Sequence, residues 1–103
     1  MNRLDKRYVG IHNELNGGMT DTAKIIRDAW VFGLIPEKET CKGWNAQALE
    51  GLWEKVNAEW EKYGFGVGKL PPELRARFMR IQQKAFDEAR AAGWDAERDI
   101  QDE

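Results

Sequence analysis

The side chains best suited to covalent chemistry in this chain are one cysteine, Cys41, and one histidine, His12. A cysteine acts as a nucleophile in its thiolate form, and Lys42 beside Cys41 could lower the thiol pKa. A thiol-dependent enzyme built on Cys41 is therefore one reading, although nothing in the sequence brings His12 next to it. Zinc sites use about three or four Cys, His or carboxylate ligands, more than this Cys and His supply. The Glu-x-x-His element of di-iron bundles would need a carboxylate where Val9 stands. No metal and no cofactor is expected. Carboxylates are numerous, but no pair stands apart for acid–base work. Glu50 and Glu54 share a helix face, repel one another and read as solvated surface. This supply of groups points away from an enzyme.

The glycine-rich stretch from Gly64 to Pro72, G-F-G-V-G-K-L-P-P, invites comparison with phosphate-binding loops. A Walker A loop places Gly five residues before Gly-Lys and Ser or Thr after it. Here Tyr63 and Leu70 occupy those places. The dinucleotide fingerprint would need glycine at Lys69 and a strand upstream, where the periodicity predicts a helix. The stretch reads as an interhelical loop, with Phe65 and Val67 turned inward.

Binding has more support. Arg75, Arg77, Arg80 and Lys84 cluster in one segment, and residues 65–92 carry six cations against three anions. Residues 93–103 carry one cation and five anions. Arg77, Arg80 and Lys84 are three and four apart and so share a helix face. With Trp44 and Phe65 at helix ends, they form the candidate partner-binding set. The expected function is a non-enzymatic interaction or accessory protein that binds a protein partner through this helical face. The alternative is a small nucleic-acid-binding regulator using the same cations. Sixteen Lys and Arg against eighteen Asp and Glu, a net charge of −2, is not the footprint of a general nucleic-acid binder. A helix-turn-helix joins its helices by about three or four residues. Eleven residues lie between Gly33 and Asn45, and seven between Gly64 and Pro72. Self-association is compatible with the protein-binding reading.

These groups need a scaffold, and 103 residues with 42% hydrophobic and 11% aromatic content suit one compact domain. The periodicity predicts an all-α, four-helix bundle-like domain over residues 1–94, followed by an acidic tail at 95–103. Its helices are expected at about 3–16, 21–32, 46–63 and 72–92. Over 3–16, Leu4, Tyr8, Ile11 and Leu15 fall on one seam, interrupted by Gly10; a short extended piece around Tyr8–Ile11 is the alternative. Thr20 or Asp21 caps the second helix, Asn45 the third, and Pro72 suits the first turn of the fourth. Gly-then-apolar pairs at 33/34, 64/65 and 93/94 close the last three helices. Leu49, Leu52, Trp53, Val56, Trp60 and Tyr63 form one stripe on the 46–63 helix. That helix is expected as the central post, beside 21–32, with Trp30, Trp53 and Trp60 facing inward and antiparallel neighbours around it. No apolar run reaches about 18 residues and no signal-peptide pattern opens the chain, so a cytoplasmic protein with no membrane partner is expected.

Overall fold

The computed structural model describes residues 7–14, 19–91 and 93. Among these residues the protein is a small, mostly helical domain without strands. Its helices are α1 (Asp21–Val31), α2 (Ala46–Glu61) and α3 (Pro72–Ala91), with single 3-10 turns at Ile11–Asn13 and Val67–Lys69. No helix among them is long and apolar enough to cross a membrane.

Capping chemistry sets the helix limits. The Thr20 hydroxyl accepts the Ala23 N–H at 3.1 Å, and the Asn45 side chain accepts the Ala48 N–H at 2.8 Å. Each satisfies one of the amides that a helix start leaves without a partner. At the end of α1, the Leu34 N–H donates to Ala29 and the Gly33 N–H to Trp30. This Schellman closure requires a left-handed residue, and Gly33 supplies it at φ 70°. Phe65 and Gly64 repeat the pattern on the carbonyls of Trp60 and Glu61.

The helix expected over 3–16 is not present across residues 7–14, and its remaining positions lie outside the described residues, as do Ala92, Trp94 and the 95–103 tail. Three helices, not four, are therefore described. Residues 7–11 instead run as an extended strap along residues 40–44. Tyr8 donates its N–H to Trp44 (2.9 Å) and accepts from Gly43 (2.8 Å), and Ile11 donates to Thr40 (3.1 Å). These long-range bonds satisfy the backbone groups that a local helix would have used. The extended alternative around Tyr8–Ile11 is the one the chain adopts.

The centre also moves. α1 packs against both α2 and α3, so α1, not the 46–63 helix, is the middle element. Its near-continuous apolar surface explains this, with Ala23, Ile26, Ala29 and Val31 buried. Ile25 lies beside Leu49 and Trp53, while Asp28 and Phe32 meet Trp60. α1 and α2 therefore run in the same sense, not antiparallel, and residues 32–45 carry the chain back. The Trp30 indole N–H fastens that return segment by donating to the Glu39 carbonyl at 3.0 Å. α3 is antiparallel to α1: Arg77 reaches the Val31 carbonyl, and Glu88 lies near enough to Arg27 to act on its charge. The inner face of α3 is Ile81, Ala85 and Ala89, which are buried, with Leu74 and Phe78 half-buried.

Trp60 joins all three helices. Its indole N–H donates to Asp28 Oδ2 at 3.0 Å, and its ring meets Phe32 and Phe78 edge-on at 5.2 and 5.9 Å. Burial pushes the Asp28 carboxyl above its usual range, against the opposing pull of the Trp60 bond and of Arg27.

Candidate functional site

The six residues of the expected binding set do not form one patch. Trp44 and Phe65 flank opposite ends of α2, whose sixteen residues span roughly 24 Å at about 1.5 Å each. Trp44 is half-buried against the core, whereas Phe65 does not turn inward and is 62% exposed. Val67 does pack on the core. Arg77, Arg80 and Lys84 do line one exposed side of α3, with Arg75 turned roughly 200° from Arg77 at about 100° per residue.

Two of these cations are committed within the chain. Arg77 Nη1 donates to the Val31 carbonyl at 2.9 Å, completing the C-terminal end of α1. Arg80 forms a two-pronged pair with Glu37 at 3.0 and 2.9 Å. The Arg80 hydrogen bonds hold the Glu37 carboxyl below its usual range, and the charges of Arg80, Arg77 and Lys84 act in the same direction. Glu37 is thus a counter-charge for this stripe, supplied by the return segment.

Cys41 is in the core, with its backbone left-handed at φ 61° and its N–H donating to Glu39 Oε2 at 3.0 Å. Burial first, and then the Glu39 charge, push its thiol from 9.0 up to about 11. Both effects oppose thiolate formation, and Lys42 does not reverse them. His12 lies exposed in the 3-10 turn of the neighbouring strap. We expect the folded thiol to resist a disulfide reagent at neutral pH and to react fully once the chain is unfolded in guanidinium. Fast labelling of native protein would contradict that burial. The sign for stability follows. A group raised on folding contributes stability that is complete below its unfolded value of 9.0 and is lost as pH climbs through about 11.

The glycine-rich loop closes α2 and re-enters the core through buried Leu70, and the Lys69 side chain folds back over Gly64. Among the described residues, no three His, Cys, Asp or Glu side chains gather where they could hold a metal ion.

A polar network at the start of α1 has no counterpart among the sequence expectations. The Tyr8 hydroxyl donates to Glu14, which also accepts from the Thr20 hydroxyl at 2.7 Å. Arg27 is buried, and burial lowers its pKa, while the charges of Asp28, Glu14 and Glu88 favour the cation. The signal was available: Arg27 lies midway between Ala23 and Val31 at spacings of four, on the helix side that they bury. The network ties the strap to α1.

Trp53 is the principal surprise. It belongs to the α2 stripe by spacing, yet it is 52% exposed, whereas Leu52, Val56 and Trp60 are buried. It stands at the edge of the stripe, where α1 covers it only in part. With Ile25 and Leu49 it walls a groove of about 200 Å³, completed by Asp21, Thr22 and Glu50. The same-sense packing of α1 and α2 brings these two N-terminal halves together.

Compared with family models, curated proteins and solved structures, the chain matches none.

Proposed function

We propose that this protein is a non-enzymatic interaction module that binds a protein partner in the groove between α1 and α2. The observation that carries this reading is Trp53, a large aromatic standing half in water beside Ile25 and Leu49. Covering such a surface is favourable by roughly 25 cal/mol per Å² of apolar area, and tryptophan is prominent among residues that dominate interface energies. The α3 stripe ranks second as a docking surface, because Arg77 and Arg80 already serve Val31 and Glu37. The same commitments weigh against nucleic-acid binding, and the burial of Cys41 weighs against thiol catalysis.

The test compares partners recovered from native lysate by wild type, by Trp53→Ser and by an Arg75→Glu/Lys84→Glu variant. The latter alters the α3 surface without touching the Arg77 and Arg80 contacts. A partner held by wild type and by the α3 variant, but lost from a folded Trp53→Ser protein, supports the groove. Loss from the α3 variant alone would transfer the function to α3.

A further inference from the structure

Resting on that reading, the chemistry of the groove also selects what enters it. Its volume of about 200 Å³ falls below the roughly 300–1,000 Å³ of typical small-molecule sites. It suits one long side chain better than a free ligand. Its apolar lining residues are Ile25, Leu49 and Trp53, and its polar ones are Asp21, Thr22 and Glu50. No cation lines it. A wholly apolar side chain would draw nothing from the two exposed acidic residues, Asp21 and Glu50, and an acidic one would be repelled. The matching shape is an aliphatic stem ending in a cation, which can lie on apolar surface while its head meets charge.

We propose that the α1–α2 groove seats an arginine side chain of a partner protein, its stem on Ile25 and Leu49 and its guanidinium between the Trp53 ring and the carboxylates of Asp21 and Glu50. Arginine fits better than lysine on two counts. Its planar head stacks on an indole face, and its forked donors match carboxylate oxygens. An ammonium offers a single, strongly hydrated point of charge.

The experiment follows the Trp53 indole N–H by NMR in labelled, full-length protein, with that signal assigned through Trp53→Phe. The probes are acetyl-Leu-Arg-Leu-amide and the same peptide with citrulline, which keeps the planar shape and removes the charge. The arginine peptide should shift the Trp53 signal saturably. The citrulline peptide should bind about tenfold more weakly, as expected for losing a desolvated cation–π contact and a charge-assisted bond. Glu50→Gln, checked for unchanged helicity, should weaken the arginine peptide by a similar factor. Equal binding of the two peptides, or no saturable shift at Trp53, overturns the arginine assignment. If Trp53→Ser still loses its lysate partner in that case, the groove remains a docking site for a different side chain. If partner recovery is also indifferent to Trp53, both inferences fall.

Discussion

Trp60→Ala should lower the unfolding free energy by about 3–5 kcal/mol, the range for removing a large aromatic from a core. The upper half of that range is expected, because the loss reaches beyond the cavity. Trp60 supplies the N–H for Asp28 Oδ2 and the ring edges against Phe32 and Phe78. Its removal leaves a largely desolvated carboxyl short of a donor, a penalty of about 1–3 kcal/mol in other settings. Domains of this size hold only about 5–15 kcal/mol in total, so the variant should be partly unfolded near body temperature. Denaturant titration measures the shift, and Trp53→Ala supplies the contrast. Both residues are tryptophans on α2, one heptad apart, but Trp53 is half in solvent and should cost far less. Equal losses at the two positions would show that the stripe is buried along its whole width.

Gly10→Ala is the second large effect. Gly10 has φ 95° and ψ 146°, close to a region that only glycine occupies readily. An alanine there carries about 1–3 kcal/mol of backbone strain. Its Cβ would also stand 3.1 Å from Lys42 Cβ, closer than side chains normally approach. Gly33→Ala is the matched control: its φ is also positive, at 70°, but an added Cβ meets nothing within 4 Å. The stability difference between the two variants therefore combines the contact between strap and return segment with the greater backbone strain at Gly10. If Gly10→Ala is no worse than Gly33→Ala, the strap does not lie as closely on residues 40–44 as described.

Sequence reasoning reached different depths in different places, for physical reasons. α1, α2 and α3 were legible because each carries a local signature at both ends. Thr20, Asn45 and Pro72 mark the starts, and Gly33, Gly64 and Gly93 the stops. The strap was harder, because Tyr8 and Ile11 have helical spacing and their real partners lie about thirty residues away. Periodicity reports a preference within one segment and is blind to a competitor so distant. Gly10 was the one local hint, and it belongs to the close approach instead of being a weak point in a helix. Trp53 was misread for a related reason: spacing locates the middle of a stripe, but the breadth of the covering neighbour decides where burial ends. In the candidate site, Arg77, Arg80 and Lys84 were correctly grouped on one face. Spacing could not show that Arg77 and Arg80 have acceptors, Val31 and Glu37, from another part of the chain.

The central position of α1 governs how the molecule comes apart. α2 and α3 each lean chiefly on α1, and the strap is tied to it through Glu14 and Thr20. Fluctuations that fray the far end of α3 can expose amides there while the remainder stays folded, because opening free energies differ from segment to segment. No such partial release is available to α1, since lifting it strips the support from both other helices at once. Beyond its first turn, whose amides lack helical acceptors, the amide protons of α1 should exchange with solvent only when the whole domain opens, so residues 25–31 should report the stability of the entire fold.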